Sequence, residues 1–269
     1  MRDMTIAAAV QMEPAFGQSQ RNVQTALDLI EAGPPANLYV LPELFHCGYV
    51  FTSQEEAAAL AEPIDGPTVS ALQQASAERQ CTIFAGFAER DDQTIYNSSV
   101  LIDQGQVLGT YRKIHLFDKE TLWFTPGAAP PPVYQTSSGR LGLMICFDWI
   151  FPETARSLML NGAQILCHSA NLVLQWCQKA TVTRCVENHV YTVLANRIGT
   201  ESRGGDTLTF TGASTIVDPN GQVQAAAPEA KATVITAEID PALADDKTIG
   251  PSKINNLLRD RKPDLYFQQ

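Results

Sequence analysis

Apolar runs and helical patterns alternate along nearly the whole chain, and that alternation restricts the fold more than any other feature of the sequence. Residues 5–10 read as a buried strand. Ser19 follows as a candidate N-cap, with Val23, Ala26, Leu27 and Ile30 at helical spacing and Gly33-Pro34-Pro35 as a stop. Residues 38–41 form a second short strand, Ser53 and Glu56 a capping-box pattern, and residues 68–80 a further helix. Residues 82–88, 98–102 and 107–111 are strand-like, with a hairpin turn at 103–106. A long loop over 116–132 precedes a strand at 141–146, a helix at 152–160, a strand at 165–168, a helix through 181–188 and a strand at 191–196. Residues 209–217, 222–226 and 232–239, with a turn at 218–221, read as an antiparallel meander. One α/β domain with a mixed sheet accounts for this order, and neither linker nor repeat divides it.

Composition narrows the function classes. A chain of 269 residues with 45% hydrophobic and 18% charged residues is globular rather than disordered. It buries roughly 75% of its unfolded surface, so it needs no staple of disulfide or metal. A net charge of −10 repels phosphate backbones and anionic lipid, so neither nucleic acid nor a membrane surface is expected as a partner. The first ten residues lack a signal-peptide pattern, and no run approaches the ~20 apolar residues of a membrane span. Cys47, Cys81, Cys146, Cys167, Cys177 and Cys185 are scattered without a CxxC, which fits reduced thiols in a cytoplasmic protein.

Three segments place a reactive side chain at the end of an apolar strand, where α/β proteins build their sites. Glu43 stands in Leu41-Pro42-Glu43-Leu44-Phe45, Lys113 in Tyr111-Arg112-Lys113-Ile114-His115, and Cys146 just before a helix start at Pro152. Each alone has an ordinary explanation. A strand cysteine is usually a buried small hydrophobe, and a lone lysine or glutamate usually lies in solvent.

Taken together, these segments resemble the carbon–nitrogen hydrolase (nitrilase-like) superfamily, in its amidase-type branch. The resemblance runs almost end to end: LPELF at 41–45, GY at 48–49, YRKIHLF at 111–117, PG at 126–127, CFDWIFPE at 146–153, ENHVYTVLANRIG at 187–199 and FTGASTIVDPNG at 210–221. It implies a four-layer α-β-β-α sandwich in one domain over 1–269, with 240–269 as a C-terminal arm. It also implies a Glu–Lys–Cys triad in which Cys146 is the nucleophile, Glu43 the general base and Lys113 the oxyanion-stabilising cation. Glu120 matches a second glutamate that members often carry. The implied reaction is hydrolysis of a non-peptide C–N bond of a small amide to acid and ammonia through a Cys146 thioester. A nitrile or an N-carbamoyl compound is the alternative substrate.

Physical chemistry constrains how such a triad works. Cysteine near pH 8.5 and glutamate near 4.3 lie ~4 units apart, so proton transfer between them costs about 6 kcal/mol. Burial among Leu41, Leu44 and Phe45 should raise Glu43, while Lys113 should favour the thiolate. Lys113 and the backbone N–H of Phe147 could form the oxyanion hole. Asp148, Glu153, Arg156 and Glu187 read as buried or half-buried structural partners. Asn171 is a candidate pocket contact, with helix capping as its ordinary role.

Trp149 also stands near the position where family branches for acidic substrates often carry an arginine. An apolar wall there predicts a small uncharged substrate, unless Arg197 or Arg203 reaches the pocket.

Other readings are a Cys–His hydrolase using His46, His115, His168 or His189, and a metal site at Cys47 with His46 or Cys167 with His168. A non-catalytic interaction protein on the same fold is a third. No histidine is singled out, adjacent strand residues point apart, and zinc spacing is absent, so neither metal nor cofactor is expected. Isolated apolar residues in the polar tail (Ile249, Ile254, Leu257, Leu258, Leu265, Tyr266, Phe267) predict a docking arm and at least a homodimer.

Overall fold

The computed structural model describes residues 4–266. The first half of the chain runs β1 (Thr5–Gln11), α1 (Ser19–Ala32), β2 (Leu38–Val40), α2 (Gln54–Leu60), α3 (Pro67–Arg79), β3 (Thr82–Asp91), β4 (Thr94–Asp103), β5 (Gln106–Arg112) and the single turn α4 (Glu120–Trp123). The second half runs β6 (Val133–Thr136), β7 (Gly139–Ile145), a 3-10 turn (Cys146–Ile150), α5 (Pro152–Leu160), β8 (Ile165–Ala170), α6 (Cys177–Asn188) and β9 (Tyr191–Asn196). A small hairpin, β10 (Thr200–Arg203) and β11 (Asp206–Thr209), is followed by β12 (Thr215–Val217), β13 (Val223–Ala226) and β14 (Thr233–Ile239). In the tail, β15 (Thr248–Ile249) pairs with β16 (Asn255–Asn256).

Two six-stranded sheets result, ordered β14-β1-β2-β3-β4-β5 and β13-β12-β9-β8-β7-β6. Each has three parallel strands at its centre and antiparallel strands outside. The period-2 alternation of side chains explains how they stack. Ala7, Ala9, Leu38, Val40 and Phe84 of the first sheet meet Leu143, Ile145, Ile165, Cys167 and Val193 of the second in one core. The intervening residues Ala8, Val10, Tyr39, Ile83 and Ala85 face outward onto Val23, Ala26 and Ile30 of α1 and Val69 and Leu72 of α3. Met144 and Leu166 likewise turn outward onto Ala155, Leu158 and Met159 of α5. The strands are apolar on both faces because both faces are covered, and the molecule is a four-layer α-β-β-α sandwich.

The structure departs from the sequence reading at several points. Ser19 is the first residue of α1 rather than its cap, and the Gln18 side chain at the N-cap accepts from Arg21 rather than from a backbone N–H of the first turn. The start of α1 is held instead by Asn22, whose side chain accepts from the Ala15 N–H at 2.8 Å and donates to the Ala15 carbonyl at 2.7 Å. Half of the capping box forms: Ser53 Oγ accepts from the Glu56 N–H, but Glu56 accepts from Thr52. The strand expected over 209–217 breaks between β11 and β12. The meander is not one unit either, since β12 and β13 stay in the second sheet while β14 crosses to pair with β1.

Beyond β14 the chain lies along α5 and α6. Lys247 Nζ donates to the carbonyls of Asn188 and His189 at 3.0 and 2.8 Å, where the end of α6 leaves carbonyls unpaired. Ile254 and Leu265 remain about two-thirds exposed, at 70% and 68%. Phe267 lies outside the described residues. Among the described residues no helix is long and apolar enough to cross a membrane.

Candidate active site

β2, β5 and β7 each end at a chemically reactive residue, and the sandwich brings these ends together. After β2 the Leu41 N–H donates to the Phe84 carbonyl at 2.8 Å. The chain then turns through Leu44 at φ 47° and returns the Phe45 N–H to the Gly86 carbonyl. Glu43 sits within this turn and is fully buried. Lys113 follows β5 directly. Its N–H donates to the Asn97 carbonyl and its own carbonyl accepts from the Gly127 N–H, both at 2.9 Å, so the Pro126-Gly127 pair holds the lysine backbone.

Cys146 follows β7 at φ 38°, the left-handed region that costs a non-glycine residue about 1–3 kcal/mol. Asp148, also fully buried, supports that turn. Its carboxylate accepts from the Ile145 N–H and the Tyr111 hydroxyl at 2.9 Å each and meets His115 Nδ1 at 2.7 Å. His168 Nε2 donates to the Cys146 carbonyl at 3.0 Å.

At the centre, Lys113 Nζ lies 2.7 Å from Glu43 Oε1 and 2.8 Å from both Glu120 oxygens, with all three side chains buried. Asn97 Nδ2 bridges the two carboxylates at 2.7 and 3.3 Å, and the Tyr49 hydroxyl donates to Glu120 Oε1 at 2.6 Å. Glu43 Oε2 has no hydrogen-bond partner among the described residues.

Burial pushes the Glu43 carboxyl above its ordinary range, opposed by Lys113 and reinforced by Glu120. Burial alone would lower Lys113, but Glu120 and Glu43 outweigh it and hold the ammonium charged. The Cys146 thiol is pushed well up by burial and Glu43, and the opposing pull of Lys113 does not offset them. Lys113 does favour the thiolate, as expected, but burial and Glu43 favour the neutral thiol more strongly.

Cys146 opens to a pocket walled by Phe117, Phe147, Trp149, Ile150 and Leu172. Asn171 shares it, buried, with neither its amide oxygen nor its amide nitrogen partnered among the described residues. It caps no helix, since α6 begins six residues later.

The two arginines weighed as carboxylate anchors are committed elsewhere. Arg197 pairs with Glu201, and Arg203 pairs with Glu56 and donates to the Val50 carbonyl. Of the other charges, Arg156 and Glu187 are half-buried, and Glu187 pairs with Arg184. Glu153 is exposed rather than buried. It stands in the first turn of α5, where the helix dipole favours a carboxylate without burial.

The histidine contacts are structural: His46 with the Leu60 carbonyl, His115 with Asp148, His168 with the Cys146 carbonyl rather than its sulfur. Among the described residues no group of three or more His, Cys, Asp or Glu side chains is placed to hold a metal.

Sequence reasoning missed Asn97 and the role of Tyr49. Asn97 belongs to the site through the antiparallel pairing of β3 with β4, which periodicity does not reveal. Tyr49 stood inside the noted GY pair, but its partner is 71 residues away.

Comparison with known proteins places the chain in a family. Residues 6–247 match the family described as carbon-nitrogen hydrolase. A nitrilase of Pyrococcus abyssi is 40% identical over 268 residues, covering 98% of this chain and all of the relative. An N-carbamoylputrescine amidase of Solanum lycopersicum is 34% identical over 270 residues, covering 91% of this chain and 88% of the relative. A solved amidase from Nesterenkonia sp. AN1, carrying the acetamide moiety of fluoroacetamide on its active-site cysteine, superposes with a TM-score of 0.78 at 25% identity, covering 97% and 94% of the two chains. The chain belongs to the carbon–nitrogen hydrolase family of the nitrilase superfamily.

Proposed function

We propose that this protein hydrolyses a small uncharged amide to acid and ammonia through a thioester on Cys146. The observation that carries this reading is the buried cluster of Glu43, Lys113 and Glu120 close enough to shift the Cys146 thiol, which is held in a strained turn beside an apolar pocket. Glu43 takes the thiol proton as the sulfur attacks the carbonyl carbon. Burial raises Glu43 and makes it a stronger base, while the raised thiol resists ionisation, so the proton leaves as the S–C bond forms rather than before it. The oxyanion forms against the Lys113 ammonium and the Phe147 N–H, near the start of a turn where N–H groups lack intrahelical partners. As the C–N bond breaks, Glu43 returns the proton to the departing nitrogen. It then draws a proton from the water that attacks the thioester carbon and returns it to the Cys146 sulfur as the C–S bond breaks.

Glu120 holds Lys113 and orients the substrate amide, and Trp149 and Asn171 supply the apolar wall and the polar contact. With both arginines paired elsewhere, a substrate carboxylate in this pocket would lie buried without a cation, at a cost of several kcal/mol. The same triad would serve a nitrile or an N-carbamoyl compound.

An ammonia-release screen over amides, nitriles and N-carbamoyl compounds separates these substrates. We expect a neutral amide to exceed its ω-carboxylate analogue in kcat/KM. A preference of about tenfold or more for the acid would contradict the uncharged pocket.

A further inference from the structure

Glu120 occupies a four-residue helix inside a long loop, and so short a helix has little stability of its own. Something outside that loop must fix its carboxylate. Besides Lys113 and Asn97, which belong to the cluster itself, Tyr49 reaches it: nine-tenths buried, it donates its hydroxyl to Glu120 Oε1 at 2.6 Å.

Tyr49 is itself held at backbone and ring. Its N–H lies 3.1 and 3.3 Å from the two Glu201 oxygens, and the Val50 N–H donates to the same carboxylate at 2.7 Å. Glu201 pairs with Arg197, which is 1% exposed and also donates to the carbonyls of Pro14 and Ile198. The Arg197 guanidinium lies 3.9 Å over the Phe210 ring, which meets the Tyr49 ring edge-on at 5.9 Å. A buried ion pair is a poor source of stability compared with apolar packing, but it fixes the positions of the groups bonded to it. Gly48 completes the arrangement. Its φ is +89°, and a Cβ there would lie 3.0 Å from Glu201 Oε1 and 2.8 Å from the Phe16 ring. The glycine of the GY pair makes room for the carboxylate that anchors the tyrosine.

We infer that Tyr49 is a positioning residue that fixes Glu120, and through it Lys113, with the Arg197–Glu201 pair as its anchor. The inference rests on the reading of Glu120, Lys113 and Cys146 given above.

The test is a double-mutant cycle of wild type, Tyr49→Phe, Glu120→Gln and the double variant. The phenylalanine keeps the ring and the backbone clamp. Peptide-resolved mass spectrometry follows alkylation of each cysteine by iodoacetamide, a reaction measurable even in variants without turnover. Tyr49→Phe should lower kcat ~10- to 100-fold with KM changed less than about threefold, as expected for a lost charge-assisted hydrogen bond that matters in the transition state. It should slow Cys146 alkylation by about threefold or more, and that slowing should vanish in the Glu120→Gln background. A slowing of less than about threefold, or one that survives at full size without Glu120, would overturn the inference. Turnover of the wild type through a different cysteine would instead overturn the assignment of the nucleophile, and the same labelling data separate the two failures.

Discussion

Gly86 on β3 packs against the backbone of Glu43 so closely that a Cβ at position 86 would lie 2.5 Å from the Glu43 Cα and 3.0 Å from the Leu44 nitrogen. The obstructing atoms are backbone, which cannot swing aside as a long side chain would. Gly86→Ala should therefore displace Glu43, the proposed base, from its place beside Lys113. We expect kcat/KM to fall about tenfold or more and stability to fall by about 1–3 kcal/mol. Steady-state kinetics and a denaturant midpoint check both, and unchanged kinetics would contradict the tight placement of Glu43.

The acid limb of the pH–activity profile should report Glu43. As the proposed base it works only when ionised, and burial raises it, so activity should be lost on acidification at a pH above the ordinary carboxylate value of 4.5. Asn97 donates to Glu43 Oε1 at 2.7 Å and opposes that rise. Asn97→Leu should move the limb further up and lower the plateau about tenfold. A limb that stayed in place or moved down, measured as kcat/KM against pH, would contradict this.

His168 should make stability depend on pH. Burial lowers it to about 4 in the folded protein from an ordinary value of 6.5. A depressed histidine binds its proton more readily in the unfolded chain, so its contribution is fully present above pH 6.5 and is lost as pH falls through about 4. The gap corresponds to roughly 3 kcal/mol. His168→Gln keeps a donor for the Cys146 carbonyl without taking up a proton. Urea unfolding between pH 7 and 4.5 should show a flatter slope for this variant than for wild type, and equal slopes would count against the assignment.

The tail should contribute to assembly. Lys247 anchors it to the end of α6, while Ile254, Leu258, Leu265 and Tyr266 stay exposed. We expect the full-length protein to be at least a dimer, and truncation after Asp240 to weaken that association. Light scattering of both forms decides the matter, and a monodisperse full-length monomer would contradict it.

Most of the fold was legible because its strands are apolar on both faces and its helices carry one apolar stripe, so β1, α3, α5 and β9 fell within a residue or two of their positions. What could not be read was pairing between distant segments. The crossing of β14 to β1 leaves no mark in local periodicity, because a strand with the same pattern could extend either sheet. The same limit applied to the site. Glu43, Lys113 and Cys146 were visible as polar breaks at strand ends, whereas Asn97 looked like the residue before a strand and Tyr49, though noted in the GY pair, had no visible partner. Arg197 was legible as a cation, but its partner Glu201 was not, so its burial in an ion pair came only with the structure.

The central claim is that Cys146 carries the acyl group. Enzyme quenched during turnover of a neutral amide should show the substrate's acyl mass on the peptide containing Cys146. Cys146→Ala should show neither adduct nor ammonia release, while Cys81→Ala and Cys185→Ala keep both. An adduct on any other cysteine, or full activity in Cys146→Ala, would contradict the account.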